Sequence, residues 1–429
     1  MTYEETVDYL FNCAPPFQQV GGAAYKVGLA NSIALDNHAG NPHRKFRTIH
    51  VAGTNGKGSC SHTLAATLQA AGYKVGLYTS PHLIDFRERI RVNGVPASKE
   101  FVVEWVKNEK PFFEPLSPSF FELTTAMAFS YFAREAVDVA VIEVGLGGRL
   151  DCTNIISPDL CIITNISPDH VQFLGNSLAA IAGEKAGIIK PGTPVVIGET
   201  TPETREIFTQ KATQEQASII FAEDNNLIKS ATPTAAGYTY ATTLFGTING
   251  ELGGDYQVKN ANTILNAIVR LIGLGFNISE ESISKGFSTV CSTTGLMGRW
   301  QILGTEPKTV CDAGHNIGGI KYIVNQLKRE KYATLRIVFG MVNDKEIDEV
   351  LAMMPQEATY YFTQASIRRA LPAEQMKEKA ATHGLDGTTH PTVGAALQAA
   401  RADASPDDLI FIGGSCFIVA DLLQEISNS

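Results

Sequence analysis

RTIHVAGTNGKGS, residues 47–59, decides the fold. Arg47–Ala52, with Ile49, Val51 and Ala52 apolar, reads as a buried strand. Gly53, Gly56 and Gly58 interrupt it, and Leu64, Ala65, Leu68 and Ala71 then recur at helical spacing. Strand, glycine-rich turn and helix in that order build an anion cradle. The glycines let successive backbone N–H groups converge, and the helix start adds partial positive charge. Gly53, Thr54, Asn55, Gly56, Lys57, Gly58 and Ser59 are therefore the candidate ATP-phosphate residues, with Lys57 reaching the outer phosphates. The strict GxxxxGK[ST] pattern is not met: Val51 stands at its first glycine and Gly58 at its Ser/Thr position. The alternative is a glycine-rich turn with one exposed lysine.

Outward from this stretch, strands alternate with helices. Lys74–Tyr78, Val137–Val144, Leu160–Asn165 and Pro194–Ile197 read as strands and Leu123–Ala133 as an apolar helix. The alternation predicts an α/β fold, a mostly parallel sheet with helices on both faces. Residues 218–251 are rich in Thr, Ala, Gly and Asn and read as a small β segment of hairpins, with Asn249-Gly250 as a turn. An amphipathic helix follows over Ala261–Ile272, and Cys291–Gly298 reads as a linker. Further strands near Val310 and over Leu335–Met341, Ala358–Thr363 and Leu409–Ile412 predict a smaller Rossmann-like α/β domain. The expected domains are residues 1–295 and 298–429.

The chain has 429 residues, too many for one core at ~150 residues per domain. Its 44% hydrophobic and 18% charged fractions describe a globular protein. The net charge of −9 argues against nucleic acid and against an anionic membrane surface, both polyanions. Any phosphate site must then be positive only locally. Seven scattered cysteines without a CxxC read as reduced thiols, which predicts a cytoplasmic setting. The acidic start MTYEETVDYL has no signal-peptide pattern, and no apolar run reaches the ~18 residues of a membrane span.

Two further features carry chemistry. Gly145–Leu150 (GLGGRL) follows a strand and begins like a dinucleotide fingerprint, but Leu150 stands where the third glycine belongs. A nicotinamide enzyme is thus a second reading, and a substrate loop the first. Glu143, His170 and Lys185 lie at or beyond strand ends, where open α/β sheets bind ligands. Glu143 suits Mg²⁺ beside ATP, or a salt bridge; His170 is a metal ligand or a loop hydrogen-bonder; Lys185 on its own reads as a surface lysine.

GTNGKGS (53–59), TSPHL (79–83), FRERIRVNG (86–94), EVGLGGRLDCTN (143–154), ITNISPDH (163–170) and GEKAGIIKPG (183–192) together resemble folylpolyglutamate synthase, including its bifunctional dihydrofolate synthase form. That family belongs to the Mur ligase superfamily, with a P-loop-type central ATPase domain. The resemblance continues through DYQVKNA (255–261), MGRW (297–300), CDAGHN (311–316) and IGGSCF (412–417).

The resemblance implies an ATP-dependent amide ligase. A pterin carboxylate, of dihydropteroate or (tetrahydro)folate, becomes an acyl phosphate that L-glutamate attacks. It implies two Mg²⁺ ions: Ser80 and Glu143 for the first, and Glu143, His170 and a carbamylated Lys185 for the second. Lys57, Lys185, His170, Asp312 and His315 are the expected catalytic residues. Asn260, Arg299 and Asp312 are expected on the nucleotide, with Gln257 a weaker candidate. For substrate, the candidates are Arg89, Arg91, Leu150, Asp151, Thr153 and Ser415. Arg89 and Arg91 read equally as a solvated strand edge, and Ser415 as a helix cap. The family leans towards a monomer. Two departures stand out. Asp312-Ala313-Gly314-His315-Asn316-Ile317 replaces a DGAHNP-like motif, and the 17–39 loop departs from the family pattern, so no site residue is assigned there. A P-loop small-molecule kinase or NTPase, which releases ADP without glutamate, and a non-catalytic nucleotide-binding module are the other classes.

Overall fold

In the computed structural model, which describes residues 1–14, 28–343 and 347–428, β1 (Arg47–Ala52) lies inside an eight-stranded sheet. The other strands are β2 (Val75–Tyr78), β3 (Ile90–Val92), β4 (Val95–Pro96), β5 (Val139–Glu143), β6 (Leu160–Ile163), β7 (Val195–Ile197) and β8 (Ile219–Phe221). Their order is β4-β3-β2-β5-β1-β6-β7-β8. Pairing is parallel from β2 to β8, and β3 and β4 form an antiparallel edge.

The two-residue period of a strand sorts the core. Val139 and Val141 of β5 join Leu64 and Leu68 of the helix Lys57–Ala70 and Ile264 and Ile268 of the helix Tyr256–Gly273. Ala140 and Ile142 face the opposite way, onto Phe129 and Phe132 of the helix Phe120–Arg134. The helix Lys57–Ala70 has no side-chain cap at Gly56. Packing holds it instead, since each fully buried leucine contributes about 1.5–3 kcal/mol against the ~1 kcal/mol of a cap. Its first N–H groups are thereby left to a ligand.

Residues 218–251 divide differently from the expectation. Ile219–Phe221 extends the large sheet as β8. Only β9 (Ile228–Pro233), β10 (Tyr238–Thr242) and β11 (Thr247–Gly250) form the antiparallel segment. Asn249-Gly250 is not a turn but the end of β11, opposite Thr239 and Tyr238. A side chain on Gly250 would run into the Tyr240 ring, so packing fixes that glycine. Cys291–Gly298 is not an open linker throughout: Val290–Thr294 is a short helix with Val290 and Thr294 buried.

Two units make up the chain: Met1–Glu251 with Gln257–Leu296, and Leu252–Tyr256 with Met297–Ser429. The five-residue segment Leu252–Tyr256 thus belongs with the second unit. That unit is built on β12 (Gln301–Thr305), β13 (Lys308–Asp312), β14 (Leu335–Phe339), β15 (Thr359–Phe362), β16 (Gly387–Thr389) and β17 (Leu409–Gly413). Its order is β12-β13-β17-β14-β15-β16, parallel apart from the β12–β13 pair. Among the described residues no helix is long and apolar enough to cross a membrane.

Candidate active site

The glycine-rich loop lies at the carboxyl end of β1. Gly53 (φ 145°) and Gly56 (φ 84°) both occupy backbone conformations that disfavour a side chain. The loop is pinned from β6's continuation. Thr54 N–H donates to the Asn165 carbonyl (2.9 Å), Asn55 N–H to Asn165 Oδ1 (2.9 Å), and Thr164 Oγ1 to the Asn55 carbonyl (2.5 Å). Ser167 N–H donates to Thr54 Oγ1, which donates to the Ser167 carbonyl (both 3.1 Å). Thr54 and Asn55 therefore use their backbone N–H groups to shape the loop. The donors for an anion are those of Gly56, Lys57, Gly58 and Ser59, at the uncapped helix start.

Sequence-distant residues meet this loop. The helix Tyr256–Gly273 brings Gln257 Nε2 to Ser59 Oγ (3.1 Å) and Asn260 Nδ2 to Gln257 Oε1 (2.9 Å). A methyl on Gly56 would collide with Asn260 Oδ1. Lys57 Nζ donates to the carbonyls of Gly53 and Thr54 (both 3.0 Å), and Lys185 Nζ to the same Gly53 carbonyl (2.9 Å). Two ammonium groups share one oxygen. Lys185 is no surface lysine: it is 5% exposed. Burial first, and the Lys57 charge second, lower its pKa from 10.5 to about 7, while Asp169 and Asp151 oppose the drop.

Glu143 ends β5 beside Val51 in the sheet register and is buried. Its Oε2 accepts from Ser80 N–H (3.3 Å), just beyond β2, where the Ser80–Pro81 peptide is cis. His170 caps the four-residue helix Val171–Leu174 in a left-handed conformation (φ 49°), with Nε2 3.7 Å from Asp169 Oδ1. Among the described residues no three His, Cys, Asp or Glu side chains converge as a metal centre. Glu143 and Ser80 offer oxygen donors of the kind that Mg²⁺ takes. A second ion beside Lys185 fits only if that nitrogen carries an oxygen-bearing group, since an ammonium offers no lone pair.

The glycine run at 145–148 serves packing. No helix follows it, as a dinucleotide site would require. A methyl on Gly148 would lie 2.8 Å from the Glu184 carbonyl and 3.0 Å from Lys185 Cα, so the glycine lets the loop lie against the helix Leu178–Ala186. Buried Asp151 frames the same loop. Its Oδ2 accepts from Gly145 N–H (3.0 Å) and Leu146 N–H (2.9 Å), and its Oδ1 from Thr153 N–H (3.0 Å) and Oγ1 (2.5 Å). Thr153 Oγ1 in turn bonds His50 Nε2 (2.8 Å). Burial drives His50 down to about 3, so the imidazole is neutral. Leu150 is half-buried on this loop.

Neither candidate arginine is a solvated edge. Arg89 is buried: its Nε donates to His82 Nδ1 (2.8 Å) and its guanidinium lies 5.3 Å from the centre of the Phe120 ring. Arg91 is buried elsewhere. Its Nη1 donates to the Gly94 carbonyl (3.0 Å), and a side chain on Gly295 would lie 2.9 Å from the guanidinium. It braces the hairpin turn and the 293–295 segment.

In the second unit, Asp312 ends β13 and accepts three hydrogen bonds: Tyr256 OH (2.5 Å) and Trp300 N–H (2.7 Å) on Oδ2, and Gly314 N–H (2.8 Å) on Oδ1. Arg299 Nη1 donates to the Gly298 carbonyl (3.0 Å), and His315 Nδ1 lies 3.0 Å from the Ala313 carbonyl oxygen. Ser415 Oγ accepts from Phe417 N–H (3.2 Å), the geometry of a helix cap before Cys416–Asn428. The first part of the 17–39 loop, residues 17–27, lies outside the described residues, and most of the rest is not a loop but the helix Ala30–His38. Thr164, Asn165, Ser167, His50, His82 and Tyr256 are absent from the sequence-derived set. ITNISPDH and DYQVKNA contain four of them, but a motif does not say which member pins a loop.

Family models match twice: a Mur ligase middle domain over residues 51–268, and the Mur ligase glutamate ligase domain over residues 298–416. A Bacillus subtilis dihydrofolate synthase/folylpolyglutamate synthase is 33% identical over 94% of this chain and 95% of its own. The Escherichia coli protein of that name is 34% identical over 88% of this chain and 86% of its own. A Haloferax volcanii protein named "probable bifunctional folylpolyglutamate synthase/dihydropteroate synthase" is 33% identical over 98% of this chain, which spans 50% of that longer protein. Among solved structures, Mycobacterium tuberculosis folylpolyglutamate synthase complexed with ADP superposes with TM-score 0.87 at 29% identity, covering 100% of this chain and 98% of the other. E. coli FolC in complex with DHPP and ADP gives 0.83 at 29% identity, with the same coverage of both chains.

Proposed function

From the premise that the chain belongs to the Mur ligase family, among the folylpolyglutamate synthase/dihydrofolate synthase proteins, we propose that it is an ATP-dependent ligase adding L-glutamate to a pterin carboxylate. The acceptors are tetrahydrofolate, whose glutamate chain it extends, and dihydropteroate, which it converts to dihydrofolate. The observation that carries this reading is the meeting of the uncapped helix start, Lys57, Asn260 and buried Lys185 around one glycine-rich loop. The complexes of relatives with ADP, and with DHPP and ADP, support a nucleotide and a pterin as ligands.

A carboxylate is a poor electrophile, so the reaction begins by giving it a leaving group. One carboxylate oxygen attacks the γ-phosphorus of ATP, the bond to the β-phosphate oxygen breaks, and ADP departs. The glutamate amine then attacks the acyl carbon, loses a proton, and phosphate leaves with the electron pair of the C–O bond. The N–H groups of Gly56, Lys57, Gly58 and Ser59 hold the phosphates, and Lys57 Nζ turns from its loop carbonyls to the transferred group. Gln257 and Asn260 fix the loop's far side, Arg299 and Asp312 serve the nucleotide, and His315 lies beside them. Ser80 and Glu143 would hold one Mg²⁺, and Glu143 and His170, with Lys185 as its carbamate, would hold a second. When bound there, Mg²⁺ would supply positive charge against the two anions.

Lys185 has the chemistry for a carbamate. Its neutral amine, well populated near pH 7, adds to CO₂ and releases a proton, leaving an anionic oxygen donor. Arg89 and Leu150 are the pterin-side candidates. Arg91, Asp151, Thr153 and Ser415 act through framing contacts. The enzyme is read as a monomer of the cytoplasm, in keeping with its seven free cysteines.

ADP release is measured with dihydropteroate or tetrahydrofolate, with and without L-glutamate. Release that needs both acceptor and glutamate, with the glutamylated product formed in equal amount, is expected. Acceptor phosphorylation or ADP release independent of glutamate refutes the ligase and identifies a kinase or NTPase.

A further inference from the structure

The carboxylate of Asp312 is 2% exposed and fully engaged, and one of its donors is a phenol from far back in the sequence. Tyr256 is fastened on several sides. It stacks edge-on against Tyr322 at 6.2 Å, and the neighbouring Asp255 N–H donates to Gln326 Oε1 at 2.8 Å. A methyl on Gly254 would lie 2.7 Å from the Tyr256 ring. The same Asp312 oxygen that takes the phenol takes Trp300 N–H. Trp300 adopts φ 42°, a left-handed conformation that a bulky residue keeps only when its surroundings impose it. The turn is tied down again by Ala313 N–H on the Gly298 carbonyl (3.0 Å) and Gly298 N–H on Gln301 Oε1 (2.8 Å). Between Gly298 and Trp300 stands Arg299, the only basic residue of that turn.

We propose that Tyr256 is a positioning residue for nucleotide binding: its phenol holds Asp312 in the rotamer that clamps Trp300 N–H, and the clamped turn presents Arg299 to the nucleotide. Without the phenol, buried Oδ2 keeps a single donor and carries the cost of an unmade hydrogen bond, so the carboxylate is no longer held in this rotamer from the Tyr256 side. The Trp300 backbone then relaxes from its left-handed conformation, and Arg299 follows. Tyr256 touches neither phosphate nor acceptor in this scheme and acts only through Asp312. The inference rests on the reading of Arg299 as a nucleotide contact.

The test is calorimetric titration of the full chain with AMPPCP. Tyr256→Phe removes one oxygen atom and should weaken binding about tenfold, with circular dichroism unchanged. Arg299→Gln should weaken it similarly, and Tyr256→Phe should add less than twofold in the Arg299→Gln background. A merely structural role of the phenol predicts no such coupling. Wild-type affinity in Tyr256→Phe overturns the proposal, as does an undiminished tenfold loss in the Arg299→Gln background. A Tyr256→Phe chain that does not fold overturns it too, since the phenol would then support the fold rather than the site. A wild-type chain that binds no AMPPCP, or an Arg299→Gln chain that binds normally, refutes the nucleotide reading itself.

Discussion

Replacing Lys185 by Met removes a titrating amine from a buried position while keeping an unbranched side chain of similar length. The folded pKa of Lys185 is about 7, against 10.5 for an ordinary lysine. Below 7 the amine is charged in both folded and unfolded chains, and the folded chain carries the whole burial penalty. Above 10.5 it is neutral in both, and the penalty is gone. Between these values the unfolded chain binds more protons, so stability rises with pH. The full difference corresponds to about 5 kcal/mol, approached at about 1.4 kcal/mol per pH unit. Met loses the hydrogen bond to the Gly53 carbonyl, about 1 kcal/mol at every pH. The Lys185→Met chain should therefore be the more stable protein at pH 6, and the advantage should hold to about pH 7 and then shrink towards pH 9. Urea unfolding under argon, which excludes CO₂, measures this. Trp105, in the core of the unit that holds Lys185, reports the transition by fluorescence. Comparing the two proteins cancels the titrating groups that do not interact with Lys185. A stability difference constant from pH 6 to 9 would refute the account of Lys185. Added bicarbonate should raise the wild-type midpoint and leave the variant's unchanged.

Gly56→Ala and Gly72→Ala share a positive φ, but only Gly56 has a neighbour, Asn260 Oδ1, in the way. Gly72→Ala should lose about 1 kcal/mol of stability and Gly56→Ala more, and only Gly56→Ala should weaken AMPPCP binding, by tenfold or more in a calorimetric titration. Asp151→Ala orphans four donors and should destabilise the first unit by about 3 kcal/mol or more in urea unfolding. Asp151→Asn, which keeps oxygen acceptance on one side, should lose less. Ser415→Ala should cost about 1 kcal/mol in thermal unfolding as a lost cap; a glutamate KM unchanged within twofold separates capping from substrate contact.

The strand-loop-helix at 47–59 was legible because three local signals agree there: apolar alternation, glycine placement and helical spacing. Glu143 was legible as a strand-end residue and Ser80 only through the family resemblance; the sheet register brings β5 beside β1. What sequence reasoning could not reach was the direction of side chains. Arg89 and Arg91 sit two apart on one short segment and look alike, yet one meets His82 and the other the 293–295 segment. Asn249-Gly250 carries a turn signature that tertiary packing on Tyr240 overrides. The pinning of Thr54 and Asn55 by Asn165 is a long-range contact, invisible to any local pattern. Lys185 reads as a surface residue because lysines usually are, and only the packed loop at Gly148 explains its burial.

The excursion of Leu252–Tyr256 bears on how the second unit can be handled and inherited. Residues 298–429, cut out at the obvious boundary, would lack the phenol that satisfies Asp312 and the backbone donor that satisfies Gln326. Such a fragment would expose a carboxylate socket to water at the carboxyl end of β13. It is not a portable module. A gene fusion or domain swap that exchanges the C-terminal part of this chain must carry five residues from the middle of the sequence with it. Alternatively, it must supply another hydroxyl in their place.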